Sequence, residues 1–338
     1  MIKNCFDRPI FILSAPRSGS TLLYEVLSKN SHLLSIGGES HAIIESTPGL
    51  NIAARNFESN ALGAKDATPK VADTLYKKFR QNLKSSKGNL IDVNISDRIR
   101  FLEKTPKNSL RIEFLNHIFP DALFIYLVRD PKDNISSIMQ AWRSNRFITY
   151  PRLPGWNGDW SLLLPNNWNR LIGEPLQNIA AFQWCEANDS IIKSLSQLPN
   201  ERWSIVKYED LISHTSTTLK AICQFCQIPF DEQLEFACSK PLPHSQYTLS
   251  VPKKDKWLSN YTEIESIWKN IQPSLKNINT QLKSANKKLL SDEWQEQPVL
   301  STHSENKKAS VSYNNISRNM SCPCGSNKRF KHCHGQLN

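Results

Sequence analysis

The sequence predicts an α/β protein: a three-layer domain around a parallel central sheet, with a small metal-binding knuckle at its C-terminal end. Three observations carry this. Short unbroken apolar runs, IFIL at 10–13 and ALFIYLV at 122–128, fit strands buried on both faces. Segments with helical apolar spacing alternate with them, which implies crossover helices between parallel strands. Three cysteines, Cys322, Cys324 and Cys333, crowd the end of the chain, apart from five scattered among apolar residues.

The first unit reads strand, loop, helix: IFIL, then SAPRSGS, then TLLYEVLSK, where Leu22, Leu23, Val26 and Leu27 recur at helical spacing. SLRIEFLNHIF predicts a further helix ahead of the strand ALFIYLV. WSIVKYED (203–210) predicts a third strand, followed by a helix from Thr215 to Gln227. Between 147 and 175 the composition shifts to Pro, Gly, Asn and Trp without a clear period. This predicts an irregular insertion over one end of the sheet, either packing a long connection or binding an acceptor. After Trp268 the chain turns polar and is helical in parts, and 301–320 has a linker's composition. The expected division is a domain over 1–275, a polar helical and linker segment over 276–319, and the knuckle over 320–338.

A chain of 338 residues can bury a substantial core. No apolar run is long enough to span a bilayer, and the N-terminus lacks a signal peptide's apolar core, so a cytoplasmic protein is expected. Net charge is +11, of which the tail from Ser301 carries +5, with six basic residues against Glu305. The remainder suits an anionic small molecule without requiring nucleic acid. Cys223 and Cys226 (CQFC) read as buried thiols on one helix face, with a redox couple as the alternative.

The loop resembles a phosphate-binding loop whose lysine is missing. Against G-x-x-x-x-G-K-[ST], Ser14 replaces the first glycine and Ser20 the lysine, while the cation sits inside the loop as Arg17. Such a turn at a helix N-terminus traps an anion with the backbone amides of Ser18, Gly19, Ser20 and Thr21, aided by the helix dipole. Without the lysine, and without a clear strand ending in an acidic metal ligand, a single phosphate held with little metal dependence is expected. A second anion site follows ALFIYLV. Arg129 comes directly after the strand, and Asp130-Pro131 signals a helix start. Ser137 therefore falls near Arg129, so that a charged fork and a hydroxyl are offered to a second phosphate.

In order and separation these two sites resemble those of the PAPS-dependent sulfotransferases, which use 3′-phosphoadenosine 5′-phosphosulfate. The resemblance spans roughly residues 9 to 270 and implies a P-loop-like fold and sulfuryl transfer, with the desulfated nucleotide PAP as product. LEKTPKN and VKYEDLI fit the branch resembling tyrosylprotein and bacterial carbohydrate sulfotransferases. There Lys104 would aim at the transferred group and Tyr208 would stand near the cofactor. Lys256 and Trp257 of KKDKW resemble a segment that closes over the nucleotide. Arg17 and Lys104 are the cations implied for the leaving bridge and the sulfonate. For the general base, SIGGESHAIIE offers Glu39, His41 and Glu45. Glu39 is the best match to the branch, and His41 is the chemical alternative, since an imidazole's ordinary pKa of about 6.5 suits proton abstraction.

At the C-terminus, CPCGSNKRFKHCHG supplies Cys322, Cys324, Cys333 and His334, a tetrahedral zinc set, with His332 as an alternative ligand. It resembles the SEC-C motif at the tail of the preprotein translocase ATPase. That implies a structural Zn2+ site with a basic surface for an acidic protein or nucleic-acid partner. The expected function is thus sulfuryl transfer to a sugar, peptide or small-metabolite acceptor. A P-loop kinase-like enzyme using ATP and Mg2+, and a non-enzymatic zinc-knuckle binding protein, are the alternatives.

Overall fold

A computed structural model describes residues 5–94, 96–251, 255–294, 319–320 and 329–332. Two compact units divide the chain, Met1–Gln295 and Glu296–Asn338. In the second, the described residues form a short turn at Phe330–His332, with the Phe330 amide donating to the Met320 carbonyl. Cys322, Cys324, Cys333 and His334 lie outside the described residues.

In the first unit, β1 (Ile10–Leu13) runs through the predicted loop into α1 (Ser20–Leu27). The short α2 (His41–Glu45) follows, then α3 (Pro69–Gln81), whose start is set by proline at its first position and by Thr68 accepting from the Val71 amide. Next come β2 (Leu102–Lys104), α4 (Ile112–Ile118) and β3 (Leu123–Val128). Asp130 caps α5 (Pro131–Arg143) by accepting from the Lys132 amide. The hairpin strands β4 (Ile148–Tyr150) and β5 (Trp160–Ser161), α6 (Leu176–Leu195) and β6 (Trp203–Lys207) lead to α7 (Tyr208–Ser213), α8 (Thr215–Cys226), α9 (Glu232–Cys238) and α10 (Tyr261–Ser284).

Among the described residues the main sheet has the order β2-β1-β3-β6, parallel throughout. The chain therefore steps to one side of β1 and then returns to the other. Alternation explains the unbroken apolar runs. Ile10, Ile12, Leu123, Ile125 and Leu127 face one core with α1 and α8, while Phe11, Leu13, Phe124 and Tyr126 face another with α4, α6 and α10. Both faces are covered, which is the expected three-layer arrangement. A fully buried side chain of this kind contributes roughly 1.5–3 kcal/mol.

Two segments carry more structure than composition alone describes. Helix α10 runs without a break past residue 275, because Leu275, Ile278 and Leu282 continue its buried face against the core. The polar residues between these positions conceal that stripe in a plain reading of composition. The 147–175 segment is also more ordered than its composition suggests. Its hairpin carries Trp156 and Trp160, which meet Trp142 and Trp168 edge to face. Gln183 of α6 clamps the segment, accepting from Trp142 Nε1 at 2.9 Å and donating to the Leu163 carbonyl at 2.7 Å. Cys223 and Cys226 are free and buried on α8, where burial pushes both thiols up to about 12, the state of inert core thiols.

Candidate active site

All four strands of the main sheet end at one edge, and each delivers a residue there. The loop after β1 carries Arg17, β2 ends on Lys104, Arg129 follows β3, and Tyr208 follows β6. That is the carboxyl edge of a parallel sheet, where ligands of open α/β folds bind. A cavity of about 870 Å³ opens there, lined in part by Arg17, Gly19, Thr21, Glu39, Arg129 and Tyr208.

Two left-handed residues turn the loop, Arg17 at φ 65° and Gly19 at φ 94°. For arginine this conformation is uncommon and is held by the surroundings. Arg129 Nη1 donates to the Arg17 carbonyl at 3.1 Å. Gly19 is required for space as well as conformation, since a Cβ there would stand 2.4 Å from Tyr208 Cδ2. The Tyr208 ring thus rests on the loop's glycine, and the Arg129 guanidinium sits 4.8 Å from the centre of the same ring.

The Ser18 side chain is engaged inside the loop. It is buried, with Oγ 2.7 Å from Asn134 Oδ1 and 2.9 Å from the Ala15 carbonyl, and Asn134 Nδ2 in turn donates to the Pro16 carbonyl. Its hydroxyl braces the loop against α5, so an anion would meet Ser18 through its backbone. Ser20, Thr21 and Ser137 line the cavity, and Ser137 shares it with Arg129. Lys256 lines it too, bonded to Ser250. Trp257 turns inward instead, buried against Tyr261 and Trp294.

Electrostatically the loop is short of negative charge. Neither Arg17 nor Arg129 forms an ion pair among the described residues, and each leaves its buried Nε without a partner. Burial, then the charges of Arg129 and Arg146, pull Arg17 down to about 10. Burial, then Arg129 and Arg17, lower Lys256 as well. Cations kept this close and unneutralised suit a bound anion, which would relieve both repulsion and desolvation.

Across the cavity, Lys104 Nζ lies 2.6 Å from Glu39 Oε1 and 3.1 Å from Thr21 Oγ1, with its side chain 3% exposed. His41 Nδ1 is 3.6 Å from Glu39 Oε2. Burial pushes the Glu39 carboxyl up, but the bond to His41 and the Lys104 ammonium outweigh it, so the pKa falls below the ordinary carboxylate value. A residue not foreseen from sequence sets this geometry. Glu103, fully buried and pushed up by burial, accepts from Thr105 Oγ1 at 2.5 Å and Asn108 Nδ2 at 2.6 Å. The Ser40 amide, between the two candidate bases, donates to Thr105 Oγ1 at 2.7 Å. Strand β2 therefore positions Lys104, Glu39 and His41 together. Glu45 is placed elsewhere on the cavity wall, paired with Lys107 at 2.7 Å and Arg111 at 2.8 Å.

The fold is a phosphate-loop-like α/β domain, with an arginine inside the loop and a lysine on the neighbouring strand facing the same edge. A sequence model of the sulfotransferase family matches residues 9–232, and the chain belongs to that family as a transferase enzyme. Among solved structures it is similar to a sulfotransferase from Alicyclobacillus acidocaldarius, at 14% identity over 84% of this chain and 98% of that one, TM-score 0.48. A mouse sulfotransferase complexed with PAP is 14% identical over 82% and 88% of the two chains, TM-score 0.43. The sulfotransferase domain from the curacin biosynthetic pathway is 21% identical over 76% and 96%, TM-score 0.40. A SEC-C motif matches residues 318–336. The protein translocase subunit SecA of Ectopseudomonas mendocina (strain ymp) is 63% identical over 27 residues, and that of Anaplasma phagocytophilum (strain HZ) 47% over 45. The chain spans 3% and 5% of the length of these curated relatives. No helix among the described residues is long and apolar enough to cross a membrane.

Proposed function

We propose that this enzyme moves a sulfuryl group from PAPS to a hydroxyl or amine acceptor, with Arg17, the loop amides and Thr21 at the 5′-phosphosulfate and with Arg129 and Ser137 at the 3′-phosphate. The observation that carries this is the pair of half-buried arginines, Arg17 and Arg129, whose buried Nε atoms lack partners beside a loop that only glycine at position 19 permits. These groups fit a ligand with two separated anionic ends. PAPS would supply the sulfuryl group and leave as PAP, its 5′-phosphate keeping the electron pair of the broken sulfur–oxygen bond. Glu39 takes the acceptor proton as the new oxygen–sulfur bond forms, and Lys104 and Arg17 stabilise the charge on the sulfonate and bridging oxygens. His41 holds Glu39 and is the alternative base. Tyr208 stacks beside the nucleotide, and Lys256 approaches the same anion.

The knuckle would hold Zn2+ through Cys322, Cys324, Cys333 and His334, a donor set of three thiolates and one imidazole that suits zinc. Lys328, Arg329 and Lys331 around it would meet an acidic protein or nucleic-acid partner. The free buried thiols Cys5, Cys223 and Cys226 support a reducing, cytoplasmic setting.

A thermal-shift comparison of PAP, PAPS, ATP and GTP tests the reading. PAP should raise Tm without Mg2+, while ATP should do little. Stabilisation by ATP that requires Mg2+, with none by PAP, would assign the site to a kinase-like enzyme instead.

A further inference from the structure

Two aromatic rings from distant parts of the chain meet above the transfer cations. The Arg17 guanidinium carbon lies 4.6 Å from the centre of the Phe147 ring, and Lys104 Nζ lies 5.7 Å from the centre of Tyr247. The rings touch each other edge to face, with centroids 6.2 Å apart and planes at 70°. The rings therefore form an aromatic wall beside Arg17 and Lys104. Ile148, Leu162 and Leu163 of the hairpin segment and Ile212 of α7 line the same cavity. Ile148, Ile212 and Tyr247 line the cavity yet remain 38%, 51% and 39% exposed, an apolar rim left open to water.

The charges on this side are already paired. Glu39 is closed by Lys104, and Glu45 by Lys107 and Arg111, with Lys107 Nζ also 3.0 Å from Tyr150 Oη. Thr149, Ser245 and Thr248 are uncharged polar residues lining the same cavity. An apolar body laid against this rim would cover Ile148, Ile212 and Tyr247, surface that a hydrated polyol would leave wet.

We infer that the acceptor is an uncharged apolar alcohol, held by its hydrocarbon body against Phe147, Tyr247 and the exposed Ile148 with its hydroxyl directed to Glu39; the inference rests on the sulfuryl-transfer reading above. The step balances as one oxygen–sulfur bond formed to the alcohol, one broken to the phosphate, and the hydroxyl proton passed to Glu39.

The test follows transfer from PAPS to a series of primary alcohols from ethanol to 1-octanol, alongside a monosaccharide and a tyrosine-containing peptide. kcat/KM should rise by about threefold per added methylene, near the ordinary transfer value for a buried CH2. The sugar and peptide should fall well below 1-octanol. On PAP-saturated protein, 1-octanol should raise Tm further. Ile148→Asp, at a partly exposed position, should lower kcat/KM for 1-octanol at least tenfold while PAP stabilisation is kept. A flat chain-length series, a sugar or peptide preferred to every alcohol, or neither turnover nor added stabilisation by 1-octanol would overturn the inference while PAP binding stands. Loss of PAP stabilisation in the native protein would remove the sulfuryl-transfer reading and this one with it.

Discussion

Glu39 and Lys104 form the closest charged contact in the cavity region, 2.6 Å between Oε1 and Nζ, although 65 positions separate them in the chain. One partner is proposed to accept a proton and the other to meet the charge that develops, so they are in contact before any substrate arrives. The contact also keeps the carboxylate ionised, because the ammonium and His41 outweigh the effect of burial.

A pH dependence follows from this. A base with a depressed pKa stays deprotonated further into acid, so activity should be retained below the ordinary carboxylate value of about 4.3 and lost only beneath it. The acid limb of the kcat/KM profile for sulfuryl transfer locates the base. A limb near the ordinary imidazole value of about 6.5 would transfer the role to His41. Glu39→Gln should lower turnover by roughly 10²-fold or more, with PAP affinity kept within a few-fold.

Lys104→Met removes the ammonium but keeps most of the side-chain volume. Glu39 then loses one of the two partners that offset its burial, so its pKa should rise and the acid limb should move to higher pH. The same substitution should lower Tm, since a partly buried carboxylate is left with fewer partners. An unmoved limb in this variant would show that the Glu39–Lys104 contact does not govern the base.

Arg129→Ala should separate the two phosphate sites. A charged hydrogen bond is worth about 1.5–3 kcal/mol, so PAP should weaken by roughly 10- to 100-fold. The single phosphate of 5′-AMP should be affected much less. Equal losses for both ligands, read by calorimetry, would mean that Arg129 does not read the 3′-phosphate.

Gly19→Ala places a Cβ against Tyr208 at a backbone φ of 94°. The backbone cost alone is on the order of 1 kcal/mol or more. Tyr208→Ala in the same chain relieves the clash but not the backbone strain. Tm and PAP affinity should both fall in Gly19→Ala, and the double variant should recover only part of the loss.

The knuckle should be separable. A chain ending at Ser301 retains the whole first compact unit, Met1–Gln295, and should fold and bind PAP without stoichiometric zinc. The full chain should hold about one zinc by elemental analysis and lose it on Cys322→Ser with Cys324→Ser. Zinc retained by the shortened chain would place the metal elsewhere.

Local sequence determined the strands, the loop and the two arginines. Consecutive apolar residues at 10–13 and 123–128 leave no polar face and so suit interior strands, and Gly19 just before Ser20 allows the tight turn into a helix. The SEC-C tail was equally legible, because its cysteines and histidines fall within one short stretch of the chain. Tertiary structure alone decided what these pieces meet. Parallel pairing of β1 with β2 brings Lys104 to Thr21 and Glu39, and the buried Glu103 clamp holds the segment carrying the candidate bases. The contact of Phe147 with Tyr247 bridges two irregular segments a hundred positions apart, neither with a period that sequence could read. The inward turn of Trp257 and the continued burial of α10 beyond Leu275 belong to the same class. Each depends on which apolar surface the folded core still has to cover, and that is a property of the assembled layers rather than of any local stretch.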